Sequence, residues 1–247
     1  MIGMGTVINV VAILVGSTFG VLFGGRLPER TTRTVTDALG LTTLVIGGLN
    51  VMALQDPDYV AATGSGVTLL IVLGALLVGG IAGSLARIED RLEGIGGWLQ
   101  GRFERGDGPS SRARFVEGFV DASLIFCIGP LAVLGSLSDG LGRGIDQLAL
   151  KSTLDAFASL AFAASLGWGV AASALSVGVW QGLLTVLAVL LGSLLPPAVV
   201  AATTATGGIL LLGVGLRLLH IREVPVGDLL PALVVAPVLT VLVSAIR

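Results

Sequence analysis

Eight apolar stretches, each close to the ~20 residues a helix needs to cross a ~30 Å hydrocarbon core, leave this chain little choice of fold. They fall near 5–24, 38–54, 66–86, 117–137, 150–172, 177–195, 199–217 and 226–246. In lipid, backbone N–H and C=O groups must find partners within the protein, so such stretches become helices or strands of a closed barrel. No period-2 alternation runs through them, which leaves helices. Composition agrees: 54% of residues are hydrophobic and 12% charged, against ~25% charged in a soluble domain. The expected fold is all-α, a polytopic transmembrane helix bundle of about eight spans. It forms one integral membrane domain over 1–247.

Arginine placement orients the chain. Arg26, Arg30 and Arg33 follow the first span, Arg87 to Arg114 the third, and Arg217 and Arg222 the seventh. The opposite connections hold Arg143, the terminal Arg247 and Lys151 at a helix start. By the positive-inside rule the arginine-rich connections face the cytoplasm, so both termini face outward. The acidic segment Gln55-Asp56-Pro57-Asp58-Tyr59 fits the outer side. Without a basic segment ahead of it, the first span reads as retained rather than cleaved.

The longest connection, 87–116, carries Ile88, Leu92, Ile95, Leu99 and Phe103 at helical spacing opposite Glu89, Asp90, Glu93 and Glu104. With Trp98 this suits an amphipathic helix on the inner leaflet, followed by a flexible tail over 105–111.

Two sets of spans echo each other. Val10-Val11-Ala12-Ile13-Leu14-Val15-Gly16-Ser17 matches Val186-Leu187-Ala188-Val189-Leu190-Leu191-Gly192-Ser193 in residue class throughout. Spans two and seven align through Gly40, Leu44 and Gly48 against Gly207, Leu211 and Gly215, and spans three and eight align loosely. The opposed directions of these pairs read as an inverted-topology repeat, spans 1–3 and 6–8 around a central pair, as in many secondary transporters. Chance similarity among helices rich in small residues is the competing account.

Ionisable groups inside a membrane are costly and therefore informative. Span five reads Leu150-Lys151-Ser152-Thr153-Leu154-Asp155-Ala156-Phe157-Ala158-Ser159, and Lys151 is the only lysine. Lys151, Ser152, Asp155 and Ser159 fall on one stripe, with Lys151 and Asp155 spaced i, i+4 for pairing. Span four contains Gly129-Pro130, where the proline frees the carbonyl of Phe126, and then Ser136, Ser138 and Asp139. Asn9 and Asn50 sit in spans one and two. As a transport pathway, Asp155 and Asp139 would contact a cation or proton with Lys151 as a switchable counter-ion. Ser136, Ser152 and Ser159 would line the route beside the Gly129-Pro130 break, with Asn9 and Asn50 as outlying polar groups. The bland alternative is a self-satisfied Lys–Asp pair that only fixes packing, with Asn9 and Asn50 as interhelical glue.

One cysteine, Cys127, and one histidine, His220, exclude a disulfide framework and an ordinary Cys/His metal site. No nucleophile–base constellation, phosphate loop or nucleic-acid signature is present, so an enzyme and a cofactor are not expected.

The stretches Gly5-Thr6-Val7-Ile8-Asn9, Phe126-Cys127-Ile128-Gly129-Pro130 with Leu134-Gly135-Ser136, and Leu150-Lys151-Ser152-Thr153-Leu154-Asp155 together resemble a family of bacterial multi-pass inner-membrane proteins called "domain of unknown function 554". The resemblance covers essentially the whole chain. It implies a membrane location and a shared fold, and it implies no activity.

The expected function is therefore a membrane transporter of a small solute or cation with its site between spans four and five. Partners are the bilayer, that solute and, through small-xxx-small faces, further copies of the chain. An ion channel on the same scaffold, or a scaffold or sensor acting through 87–116, are the alternatives.

Overall fold

A computed structural model describes residues 2–24, 29–103, 109–127, 130–142, 144–191 and 196–246. Among these residues every regular element is helical. The α-helices are α1 (Met4–Gly24), α2 (Glu29–Val51), α3 (Pro57–Thr63), α4 (Val67–Ala86), α5 (Ile88–Phe103), α6 (Pro109–Cys127), α7 (Pro130–Gly140), α8 (Asp146–Leu166), α9 (Gly169–Leu191), α10 (Pro197–Leu218), α11 (Val226–Leu229) and α12 (Ala232–Ile246), with a 3-10 turn at Met52–Gln55.

Five helical segments are long and apolar enough to cross a membrane: Met4–Gly24, Val67–Ala86, Gly169–Leu190, Pro197–Leu218 and Val226–Ile246. Helices α6 and α7, whose axes differ by 75°, make a sixth if the pair is one broken span. The two remaining stretches fall short for physical reasons. Helix α8 carries Lys151, Asp155 and four serines or threonines, and in α2 only the second half is apolar. Outward-facing Leu, Val and Phe side chains cover the long helices, as lipid contact requires.

Several boundaries depart from expectation. Spans five and six do not divide at 173–176. Helix α8 ends at Leu166, where Gly167 adopts φ +78° and its N–H closes on the carbonyl of Ala163. A left-handed residue at this position ends a helix, and glycine takes that conformation without penalty. The acidic connection after span two is not a plain loop: Asp56 Oδ1 accepts from the N–H groups of Asp58 and Tyr59 at 3.0 and 3.2 Å, with Pro57 in the first turn of α3. Helix α6 begins at Pro109, well before the expected span. The segment 87–116 is helical on both sides of 104–108. The flexible tail read there lies largely outside the described residues. Pro231 lies between α11 and α12. Pro237 does not break α12, because a helix held by packing tolerates one missing backbone bond.

The chain forms two compact units. The first comprises Met1–Leu39, Leu92–Cys127 and Leu131–Ser193, and the second comprises Gly40–Arg91, Ile128–Pro130 and Leu194–Arg247. In the first unit α1 lies along α8. A methyl group on Gly16, Gly20 or Gly24 would sit 2.2–2.4 Å from the carbonyl oxygens of Ala156, Leu160 and Ala164. Three glycines four residues apart thus bring two backbones into direct contact. Helix α6 packs along α9, where Gly169 abuts Phe115 and Ser123 Oγ donates to Ser176 Oγ at 3.0 Å.

In the second unit α4 packs on α11 and α12, with Gly79 against Ala232 and Gly83 against Asp228. Gly47 and Gly208 bring α2 and α10 together. Tyr59, fully buried, anchors the core formed with Ile71, Ala75, Ala202 and Ala236, and its hydroxyl donates to the carbonyl of Thr68 at 3.3 Å.

Candidate functional site

The polar stripe of α8 points into the first unit. Lys151 and Asp155 are each only 6% exposed. Asp155 Oδ2 accepts from Lys151 Nζ at 2.5 Å and from Asn9 Nδ2, on α1, at 2.9 Å. The ammonium also stands 5.9 Å from the centre of the Phe126 ring, close enough for a cation–π contact. Two opposite charges and a carboxamide are thus gathered away from solvent in the second and third turns of their helices.

Asp139 occupies a different role from the one its charge suggests. Its two oxygens accept from Gly3 N–H at 3.1 Å and Gly5 N–H at 3.0 Å. These N–H groups stand at the start of α1, where a helix has no internal acceptors and its dipole favours an anion. Asp139 therefore pins the C-terminal end of α7 to the start of α1. Ser152 donates to the carbonyl of Leu148 at 2.6 Å and Ser159 to that of Ala156 at 3.0 Å, both within α8. Ser136, buried on α7, has no hydrogen-bond partner among the described residues. Pro130 opens α7. Gly129 lies outside the described residues. Asn50, half-buried, belongs to the second unit. Asp121 is buried at 1% exposure on α6, while Asp228 is half-buried and accepts from the Glu89 N–H at 2.9 Å.

Two arrangements escaped sequence reasoning. On α9, Gln181 and Thr185 are buried on the stripe that also carries Gly178 and Ala188. A glutamine in the middle of an apolar span is itself a signal. In the second unit, Glu89 pairs with Arg217, accepts from the N–H of Gly227 at 2.5 Å, and lends its own N–H to Asp228. This clasp ties the start of α5 to α10 and α11. Its members lie 128 and 139 residues apart, beyond any spacing rule.

Among the described residues no group of three or more His, Cys, Asp or Glu side chains could hold a metal ion.

A family model described as "Protein of unknown function (DUF554)" matches residues 4–241. The chain is 32% identical to the uncharacterized protein YqgA of Escherichia coli K12 across 94% of each chain. It is 30% identical to the uncharacterized membrane protein YdfK of Bacillus subtilis 168, across 98% of this chain and 97% of the other. No solved structure matches.

Proposed function

The chain belongs to the DUF554 family, and we propose that this membrane protein is a transporter of a small solute or cation. The site is built on α7 and α8 with Asn9 of α1, and carries no enzymatic chemistry. The observation that carries the reading is the buried Lys151–Asp155–Asn9 triad. A buried ion pair is weak as a stabilising device, since dehydrating two charges consumes most of their attraction. Its placement inside a membrane protein therefore favours function over packing.

Helix directions support eight crossings. The contacts of α1 with α8 advance together, from Gly5–Leu148 to Gly24–Ala164, so these helices run parallel. So do α6 and α9, from Phe115–Gly169 to Ser123–Ser176. Contacts of α2 with α10 and of α4 with α11 and α12 run in opposite orders, so those pairs are antiparallel. A chain that reverses at each of eight crossings requires all four relations. Helix α8 would then be a polar fifth span, shielded by its neighbours.

An inverted repeat fits the same contacts. Counterpart spans one and six share the first unit, and counterparts two with seven and three with eight pack directly in the second. The broken α6–α7 span resembles the discontinuous helices on which transporters build sites. With the arginine-rich connections in the cytoplasm of a bacterial cell, both termini face outward across the inner membrane.

A solute screen on the purified chain tests the reading. A bound solute raises the melting temperature with its concentration. The expected result is a stabilising solute whose effect disappears in Asp155→Asn. A stabilising solute equally effective on that variant would reject the site.

A further inference from the structure

The triad accounts for only part of the polar surface inside the first unit. Gln181 is fully buried, and neither its Oε1 nor its Nε2 has a partner among the described residues. The hydroxyls of Ser136 and Thr185 and the Oδ1 of Asn9 are in the same condition. An unpartnered buried polar atom costs about 1–3 kcal/mol, so several in one region call for a common cause.

Contacts bring these groups together. Ser136 and Gly140 share a face of α7, being four residues apart, and Gly140 abuts the carbonyl of Thr185 and the side chain of Ala188 on α9. Gln181 and Thr185 share the corresponding face of α9. One turn before Gln181, Gly178 meets Val10 of α1, the neighbour of Asn9. Gln181 thus sits where α9 passes from its contact with α1 to its contact with α7. Asn9 already reaches Asp155. Packing is tight at Gly135 against Leu148 and at Gly140 against the carbonyl of Thr185.

Resting on the transport reading, we propose that Gln181, Ser136, Thr185 and Asn9 present their oxygens to a sodium- or potassium-class cation bound beside Asp155. Hard monovalent cations take neutral carbonyl and hydroxyl oxygens, and amide rotation aims Gln181 Oε1 inward. Charge balance sets the coupling. Lys151 and Asp155 together are neutral, and an added buried cation would leave one uncompensated charge, which low-dielectric surroundings resist. The cation therefore displaces the Lys151 ammonium from Asp155. Lys151 gives one proton to water and remains as a neutral amine, so one cation enters for one proton released. The other titratable groups near Lys151 are Cys127 of α6, within electrostatic reach of Lys151 and Asp155, and Asp139 of α7, held by its two N–H donors; Asp121 lies further along α6, one turn after the contact of Gly118 with Leu166. Helices α1 and α9 contribute no charged side chain.

The test uses the full chain, purified and melted in NaCl, KCl and equimolar choline chloride. One alkali cation should raise Tm in a saturable way and release on the order of one proton per bound cation into a weakly buffered medium, as proton-linked binding demands. Gln181→Leu should weaken that cation by about tenfold or more, the loss expected for one ligand. The same variant should melt higher than wild type in choline, because it removes unpartnered polar atoms. Should it not fold, Thr185→Val and Ser136→Ala provide the same comparison. If these variants bind the cation as wild type does while Asp155→Asn does not, the cage is wrong and the transport site stands. If neither cation stabilises wild type, the cage is also wrong, and solute uptake lost in Asp155→Asn would preserve the broader reading. Uptake unaffected by Asp155→Asn would remove both.

Discussion

One oxygen of Asp155, Oδ2, serves two donors from two helices: Lys151 Nζ at 2.5 Å along α8 and Asn9 Nδ2 at 2.9 Å across from α1. The intrahelical bond needs no fold to form it. The interhelical bond requires α1 and α8 in contact, which the glycine stripe provides. Packing and site are therefore linked through one atom.

That linkage separates stability from activity. Removing one member of a buried pair leaves the other uncompensated, at a cost of about 3–5 kcal/mol. Asp155→Asn and Lys151→Met should each melt well below wild type. The double variant Lys151→Met/Asp155→Leu, which removes both charges, should recover most of the lost stability and none of the transport. Thermal melts of purified protein measure the first and uptake by proteoliposomes the second.

Gly47 and Gly48 offer a sharper packing test because they are neighbours with opposite surroundings. A methyl on Gly47 would lie 2.9 Å from the carbonyl oxygen of Gly208, while nothing stands within 4 Å of one on Gly48. Gly47→Ala should destabilise by about 1–3 kcal/mol, as overpacking does. Gly48→Ala should be neutral or gain up to about 1 kcal/mol from helix propensity. Denaturation midpoints of the two variants check the contrast.

Tyr59 is the single tyrosine of the chain, so its titration can be read directly by ultraviolet absorbance. Burial pushes its phenol above the ordinary value of 10.0, with a hydrogen bond from Thr240 acting in the opposite direction. In the unfolded chain the phenol ionises near 10.0, and in the folded chain at higher pH. Between the two the unfolded state binds fewer protons, so this group lowers stability as pH rises through and beyond 10. The native protein should be less than half ionised at pH 10, and growth of the phenolate at higher pH should accompany loss of stability. Half or more phenolate in the native protein at pH 10 would contradict the buried setting.

Glu89 joins three segments through Arg217, Gly227 and Asp228. Glu89→Ala removes both acceptor oxygens while leaving its N–H for Asp228. A part-buried N–H and a guanidinium each lose an acceptor, and the expected cost is about 1–3 kcal/mol. Hydrogen exchange should quicken at Gly227 and around α11, with α1 and α8 unchanged.

Much of this was legible before the structure. Long apolar stretches dictate membrane helices, and the i, i+4 spacing of Lys151 and Asp155 dictates a pair. Asn9 as third partner was not legible, because no local rule links residues 146 positions apart. That Asp139 caps the start of α1 was not legible either, because its partners Gly3 and Gly5 lie more than 130 residues away. The α8–α9 boundary was missed because Gly167 is one glycine among 37, and its left-handed conformation is a property of the fold. Helix α3, by contrast, carries its own signature in Asp56-Pro57-Asp58, a capping aspartate followed by a first-turn proline.

The most direct measurement of the central claim is uptake by proteoliposomes holding equal amounts of correctly inserted wild type, Asp155→Asn and Lys151→Met, with the solute taken from the stabilisation screen. The account predicts flux in wild type and none above empty liposomes in either variant. Undiminished flux in both would contradict it, and would leave the buried charges as a packing device.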